Sequence, residues 1–294
     1  MKATLVKEIT PLTQNDCFSV FFRTKSAFDF PLHYHEEFEL NFVEHGKSAK
    51  RVIGDHIEEI SDLELVLIGP NLQHAWYPHN CKSKVIKEIT IQFHRDLFDE
   101  KFLHRNQMKL IRTMLENSFR GILFSRQTIK AVMPRLLILA QKQGFDSVLE
   151  LMSILDFLSA SRNQKILSNS SFSPKEKLSY SSRRVDKIMQ YINNNFDNNI
   201  GLKDAAQIAG MTQVSLSRFF KVRTGQSFVD TLTDVRLGNA SRMLIDTTQS
   251  INEVAYKCGF NNMSNFNRVF KKKKLCTPTE FRETYNLSGF RTFV

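Results

Sequence analysis

The feature that most restricts how this chain can fold is a device that occurs twice near its C-terminal end. Leu202-Lys203-Asp204-Ala205-Ala206-Gln207-Ile208-Ala209-Gly210-Met211 and Ile251-Asn252-Glu253-Val254-Ala255-Tyr256-Lys257-Cys258-Gly259-Phe260 match at a constant offset of 49. Apolar positions, a small Ala (Ala206, Ala255), a Gly and a closing apolar residue recur. Each copy reads as a short helix stopped by a Gly that tolerates positive φ. Ser250 with Glu253 forms a capping box, and the Ala lets a following helix approach closely. Thr212 is the expected N-cap of a second helix, Gln213 to Lys221. Asn261-Asn262 starts its counterpart, Met263 to Lys271, at an offset of 50, so the second turn is one residue longer. Leu216 with Phe220, and Phe266 with Phe270, lie four apart and fill the core of each unit. Ser217-Arg218 and Asn267-Arg268 then face outward, as the second helix of a helix-turn-helix faces a DNA groove. A solvated helix face explains one such arginine as well; two in register are much harder to explain that way.

Between the copies, Phe228 to Ile245 carries Val229, Leu232, Val235, Ala240, Met243 and Leu244 and reads as one helix. It would fix the separation of the two readers. A separation of about 34 Å, one turn of DNA, lets both enter successive major grooves. Charge agrees with a polyanionic partner. Of the net +11, residues 174–294 contribute +9, from 19 basic against 10 acidic side chains.

The segment Ile200 to Arg282 resembles the DNA-binding domain of the AraC/XylS family of bacterial regulators. The resemblance is carried by Leu216-Ser217-Arg218-Phe219-Phe220-Lys221, Gly225-Gln226-Ser227-Phe228, Arg236, Ala240 and Cys258-Gly259-Phe260. It continues through Ser264-Asn265-Phe266-Asn267-Arg268-Val269-Phe270-Lys271 and Pro278-Thr279-Glu280-Phe281-Arg282. It implies base contacts by Val214, Ser217 and Arg218 in the first unit and by Ser264, Asn267 and Arg268 in the second. Arg suits guanine O6 and N7, and Asn suits adenine N6 and N7. Lys221, Arg223, Lys271, Lys272, Lys273 and Lys274 read as phosphate contacts that position without selecting sequence. One departure stands out. The family's Gly after the second reader is replaced here by Leu275, following Lys274. A non-Gly residue in a left-handed turn costs about 1 kcal/mol.

The N-terminal part has a different grammar. Phe18-Ser19-Val20-Phe21-Phe22, Phe38 to Val43 and Ile89 to Phe93 are β-rich, with turns at Gly46, Gly54 and Gly69-Pro70-Asn71. They predict a small barrel or sandwich. From residue 107 the pattern turns helical. Ile129 to Ala140, then Gly144, precede a helix bearing Val148, Leu149, Met152, Leu155 and Leu158. This helical pair either covers the barrel or forms a dimer seam, and symmetric dimers are common among DNA readers. The expected architecture is therefore a two-domain α+β chain. Residues 1–160 form a cupin-like β-barrel with a helical pair that binds an effector and dimerises. Residues 161–179, polar and containing Ser168-Asn169-Ser170-Ser171 and Pro174, form a linker. Residues 180–294, opened by a helix from Tyr180 to Asn195, form the all-α domain with two helix-turn-helix units.

His33-Tyr34-His35-Glu36-Glu37-Phe38-Glu39 followed by Gly46 resembles the first cupin motif, H-x-H-x3-E-x6-G. His74, within Pro70 to Trp76, occupies the place of the second motif's His, although that motif lacks its Gly and is one residue short. Alternate strand residues share a face, so His33 and His35 both point inward. Three readings stay open for His33, His35, Glu39 and His74: an effector site, a metal site, or hydrogen-bonded core residues. The expectation adopted is an organic effector, a sugar by family resemblance, near these residues and Trp76, with no metal or cofactor. Trp76 either stacks on the effector or packs. A metal-dependent cupin enzyme fused to a DNA module is the competing class. A sensor without enzyme activity is preferred, because no nucleophile triad or phosphate-cradling Gly loop stands out.

Cys17, Cys81, Cys258 and Cys276 form no C-x-x-C pair, which argues against a zinc site or disulfide framework and for a reducing cytoplasm. No signal-like apolar run occurs, and apolar stretches such as Leu65 to Ile68 are far too short to span a bilayer. The expected partners are double-stranded DNA, RNA polymerase, a second copy of the chain and a small molecule; membranes are not among them. The expected role is that of a cytoplasmic transcription regulator, with activation and repression both left open.

Overall fold

The structure, a computed structural model, describes residues 5–139, 141–169, 183–224, 226–287 and 291–293. Ala140, Ser170, Ser171, Pro174, Tyr180 and Gly225, to which the sequence reading assigned roles, lie outside the described residues. The chain divides into two compact units. The first comprises Met1–Glu8, Asn15–Lys175 and Leu287–Val294; the second comprises Ile9–Gln14 and Glu176–Asn286.

The first unit carries β1 (Val6–Lys7), β2 (Phe18–Lys25), β3 (His33–Tyr34), β4 (Phe38–Glu44), β5 (Lys50–Ile53) and β6 (His56–Glu59). It continues with β7 (Leu63–Ile68), β8 (His74–Tyr77), β9 (Ile86–Phe93), α1 (Glu100–Leu103), α2 (Lys109–Ser118) and β10 (Ile122–Leu123). After these come α3 (Arg126–Leu139), α4 (Gly144–Ser159), β11 (Lys165–Ile166) and, near the C-terminus, β12 (Arg291–Phe293). The strands form a five-stranded sheet in the order β1-β3-β8-β5-β6 and a seven-stranded sheet in the order β11-β10-β7-β4-β9-β2-β12. Among the described residues, the expected barrel is thus corrected to two sheets that do not join into a closed cylinder. Closure needs continuous pairing around the ring, and no strand of the five-stranded sheet pairs with a strand of the seven-stranded one.

Strand β4 is central, paired antiparallel with β7 and β9. Its alternation sorts two environments. Phe38, Leu40 and Phe42 join Ile89, Ile91, Phe93 and the buried residues of α2, α3 and α4 in one apolar cluster. On the opposite face Val43 packs with Val66, Ile68, Ile53 and Trp76, residues drawn from both sheets. Glu39 and Asn41 share that second face and are buried there. Both faces of β4 are covered, so the strand reads as a near-continuous apolar run with two polar interruptions. The helical pair is α3 and α4, joined by an Arg135–Glu150 ion pair at 2.7 Å. Gly144, which the sequence places between the two helical stretches, is the first residue of α4, at φ 56°.

Within 161–179, the described part belongs structurally to the first unit. Lys165–Ile166 pairs with β10, and Asp55 accepts hydrogen bonds from the Ser168 hydroxyl (2.8 Å) and the Asn169 amide (3.0 Å).

The second unit is helical: α5 (Arg183–Asn195), α6 (Leu202–Ala209), α7 (Gln213–Thr224), α8 (Phe228–Asp246), α9 (Ile251–Lys257), α10 (Met263–Lys274) and α11 (Pro278–Leu287). Ile188, Ile192, Ala205, Ala206, Leu216, Phe220 and Phe228 form the core around α6 and α7. Around α9 and α10, Phe266 meets the rings of Phe260 and Phe270 at centroid distances of 4.9 and 5.5 Å, and Phe270 meets Phe281 at 5.4 Å. Among the described residues no helix is long and apolar enough to cross a membrane.

Candidate functional site

Two groups of residues with chemical potential emerge, one in each unit. In the helical unit, α6–α7 and α9–α10 are both helix-turn-helix pairs. Gly210 ends α6 in the left-handed region at φ 62°, and Gly259 follows α9 at φ 77°. Thr212 Oγ1 accepts the Ser215 N–H at the start of α7 (3.2 Å), and Asn262 Oδ1 accepts the Asn265 N–H at the start of α10 (2.8 Å). The capping box of α9 is complete. Ser250 Oγ accepts the Glu253 N–H at 3.2 Å, and the Glu253 carboxylate accepts the Ser250 N–H at 2.7 Å. Two orphan donors of a seven-residue helix are satisfied in this way.

The anchors Leu216, Phe220, Phe266 and Phe270 are fully buried. Everything expected to read bases sits on the opposite side. Val214, Ser217, Arg218 and Lys221 are exposed at spacings of three, four and seven, which is one stripe of α7. Ser264, Asn267, Arg268 and Lys271 form the same exposed stripe on α10. Val214 is 74% exposed. The Arg268 guanidinium is held on the outer side of α10 by a 2.9 Å hydrogen bond to Asn265 Oδ1.

The lysine run divides. Lys271 and Lys272 are exposed, like Lys221 and Arg223. Lys273 instead donates to Asp234 of α8 at 2.8 Å, and Lys274 donates to the carbonyl of Ile9. The sequence reading treated the four as equivalent; the helical period turns the last two inward. Leu275 adopts the left-handed conformation (φ 64°, ψ 0°) with its side chain half exposed. The turn expected of Gly is therefore kept, with the small conformational cost borne by Leu.

Two arginines of the family motif tie the helices together. Arg236 of α8 donates to the carbonyls of Phe196 (2.7 Å) and Asn198 (2.8 Å), beyond α5, and its guanidinium lies 6.0 Å from the Phe260 ring. Arg282 donates to Leu244 O (3.1 Å), near the end of α8, and to Gln249 O (2.6 Å), in the segment before α9.

In the first unit, His33, His35, Glu39 and His74 come together. The imidazole centroids of His33 and His74 are 4.1 Å apart, and those of His35 and His74 are 5.0 Å apart. Each ring is fixed through Nδ1, which faces a backbone carbonyl two residues away: Pro31 for His33 (2.8 Å), Glu37 for His35 (3.1 Å) and Leu72 for His74 (2.7 Å). A carbonyl only accepts, so each Nδ1 carries hydrogen and each Nε2 is turned to the centre. His35 Nε2 donates to Glu39 Oε2 at 3.0 Å. Glu39 also accepts from Asn41 Nδ2 (3.2 Å) and Gln92 Nε2 (3.0 Å).

Electrostatics separate the three rings. Burial, then the neighbouring His74, lowers the His33 pKa to about 3, and burial lowers that of His74 to about 4; both are neutral at pH 7. Burial opposes charge on His35 too, but its bond to Glu39 and that carboxylate's charge outweigh it and raise the pKa to about 9. The same pairing overcomes the desolvation of Glu39 and holds its carboxyl well below the usual range.

Trp76 is buried beside this group, its ring 6.1 Å from that of His74. Its Nε1–H is committed to Glu64 Oε1 at 2.9 Å, and Glu64 also takes the guanidinium of the buried Arg51. Sequence reasoning missed Glu8, whose Oε2 lies 3.6 Å from His33 Nε2. It also missed Asn41 and Gln92. Only the parallel pairing of β1 with β3, Val6 opposite His33, brings Glu8 there, and no local spacing announces it.

A family model described as "Helix-turn-helix domain" matches residues 205–284. The chain is 33% identical over 119 residues to the HTH-type transcriptional regulator of the cgkA 5′ region of Pseudoalteromonas carrageenovora, covering 40% of this chain and 70% of that protein. It is 24% identical over 259 residues to the HTH-type transcriptional activator RhaS of Mannheimia succiniciproducens, covering 86% and 89%. Among solved structures it is similar in fold to a point variant of ToxT from Vibrio cholerae in its apo form, with a TM-score of 0.61 at 15% identity, covering 93% of this chain and 99% of that one. With two helix-turn-helix units built from the family's own motif positions, the chain belongs to the AraC/XylS family of DNA-binding transcription regulators.

Proposed function

We propose that the protein is a sequence-specific, effector-controlled transcription regulator that reads two neighbouring segments of one DNA face with α7 and α10. The observation that carries this reading is the duplicated stripe: Val214, Ser217, Arg218 and Lys221 on α7, and Ser264, Asn267, Arg268 and Lys271 on α10. In each stripe the first three residues address base edges. Lys221, Arg223, Lys271 and Lys272 contact phosphates, with Lys273 and Lys274 adding positive charge beside them. The first unit acts as a cupin-like sensor without enzymatic activity, binding a small effector at His33, His35, Glu39 and His74 beside Trp76. One solved structure of ToxT from Vibrio cholerae is a complex with a small organic acid, which supports ligand control in this fold. The regulator works in the cytoplasm as an activator that engages RNA polymerase. It acts as a homodimer, which fits the exposed Leu137 and Ile138 of α3 and Phe145 and Leu149 of α4.

The test is selection of duplexes from a random pool by the full chain, followed by binding at moderate salt. Enrichment of a two-part sequence, with preference at one part lost in Arg218→Ala and at the other in Arg268→Ala, is the expected result. Enrichment of no sequence overturns it.

A further inference from the structure

In α6 to α9 and in α11, the side chain at the third helical position turns back to the residue that caps the helix. The Asp204 carboxylate accepts the Gly201 N–H before α6 (2.8 Å), and the Glu253 carboxylate accepts the Ser250 N–H before α9 (2.7 Å). The Glu280 carboxylate accepts the Thr277 N–H before α11 in the same way (2.7 Å). At α7 and α8 the contact runs between side chains. The Thr212 hydroxyl donates to Ser215 Oγ (3.0 Å), and the Ser227 hydroxyl donates to the Asp230 carboxylate (2.6 Å). Helix α10 departs from this pattern. Asn262 Oδ1 accepts the Asn265 N–H as a cap should, but the Asn265 side chain runs forward, and its Oδ1 accepts from Arg268 Nη2 at 2.9 Å. Both residues are exposed, so packing does not impose the arrangement, and a surface pair of this kind adds little to the stability of a helix. At the matching place in α7 stands Ser215, whose hydroxyl is engaged with Thr212. The two outward arginines are therefore unequal: Arg268 is held, and Arg218 is not.

We infer that Asn265 is a positioning residue for base reading: it sets the Arg268 guanidinium before DNA arrives, so that selection at the base pair read by Arg268 is sharper than at the one read by Arg218. The inference rests on the reading above that both arginines address base edges. An arginine that bonds guanine O6 and N7 has to present two N–H groups in one plane. A guanidinium carries five N–H groups and accepts nothing, so the Asn265 oxygen takes one of them and leaves four for a base. The long Arg side chain otherwise loses its rotamer freedom on binding, at a cost in affinity. For Arg268 part of that freedom is already gone in the free protein; Arg218 has it all still to lose. A guanidinium held in one plane also fits a displaced or different acceptor pair less well than a mobile one, which is how preorganisation turns into selectivity.

The experiment uses the full chain and the duplex that it enriches from a random pool, together with that duplex's single base-pair variants. The readout is the preference ratio, the Kd on each variant divided by that on the enriched duplex. Arg268→Ala identifies the base pair read by Arg268, and Arg218→Ala the one read by Arg218. Asn265→Ala should lower the ratio at the first by about two- to tenfold, the effect of freezing one long side chain, and leave the second unchanged. Added to Arg268→Ala, it should lower no ratio further, because the two residues act as one unit. Asn265→Asp keeps an acceptor at the same reach and should preserve the ratio, while its added charge weakens binding to all duplexes alike. Thermal unfolding of Asn265→Ala should match the wild type. An unchanged ratio in Asn265→Ala, an equal loss in Asn265→Asp, or wild-type ratios no higher at the Arg268 base pair than at the Arg218 one overturns the inference. If Arg268→Ala itself moves no ratio, base reading by Arg268 fails and the inference falls with it. If Arg268→Ala relaxes one base pair and Asn265→Ala does not, only the positioning role fails.

Discussion

A Cβ placed on Gly259 would lie 2.8 Å from the Nε of Arg236 and 2.5 Å from the carbonyl oxygen of Phe196, the group that Arg236 holds. The backbone of the second reader's turn is thus pressed against the arginine that ties α8 to the end of α5. At φ 77°, Gly259 also occupies a conformation that L side chains rarely adopt.

Gly259→Ala should therefore destabilise the helical unit by about 3 kcal/mol. Roughly 1–2 kcal/mol comes from the left-handed backbone and a similar amount from weakening a hydrogen bond to a charged group. Denaturant unfolding of the full chain, followed by helical circular dichroism, measures this. An unchanged midpoint would show that the contact is dispensable.

The two exposed stripes predict two kinds of loss. Arg218→Ala or Arg268→Ala should cost about 1–3 kcal/mol on the cognate duplex and relax selection at one base pair. Lys271→Ala with Lys272→Ala should weaken binding to every duplex and reduce the slope of log K against log salt by about two. Binding measured on cognate and random DNA across a salt series separates these outcomes.

Lys273→Ala should behave differently from its neighbours. Its ammonium already pairs with Asp234 at 2.8 Å, with both side chains largely covered. The expected effect is a stability loss of up to about 1 kcal/mol with the salt slope unchanged. A salt slope that falls as it does for Lys271 would place Lys273 on phosphate.

Leu275→Gly should stabilise the helical unit by about 0.5–1 kcal/mol. Relief of the left-handed Leu conformation, worth about 1–2 kcal/mol, outweighs the larger unfolded-state entropy of Gly. The half-exposed Leu275 side chain offers little packing to lose. A lower Tm than the wild type would contradict this.

The thiol of Cys258 is buried, and burial pushes its pKa up to about 12. Reactivity follows the thiolate, so at pH 8 only about one molecule in ten thousand carries it. Iodoacetamide should leave Cys258 unmodified in the folded protein and modify it in urea, as read by peptide mass spectrometry. Cys17 and Cys81, both partly exposed, serve as internal references.

The helical unit was legible because its information is local. Gly210 and Gly259, the caps Thr212, Asn262 and Ser250, and the paired anchors all lie within a few residues of what they control. The division of Lys271 to Lys274 was legible in principle from the helical period, but Asp234 and the carbonyl of Ile9 decide which pair turns inward. In the first unit, the strands around Phe18, Phe38 and Ile89 were legible from composition, whereas their order was not. Strand β9 pairs with both β2 and β4, a choice made by long-range packing rather than by residues within either strand. His33, His35, Glu39 and His74 were found through a motif. Glu8 and the three carbonyl locks needed the chain's path, because backbone acceptors have no letter in a sequence.

The uninterrupted nineteen-residue course of α8 has a further consequence. A helix advances about 1.5 Å and turns about 100° per residue, so a single inserted residue between Leu232 and Leu244 would swing one probe away from the duplex far more than it would lengthen the span. A variant of this chain with a different gap between α7 and α10 would therefore have to change this rod by near-whole turns, or re-aim the helices at its ends.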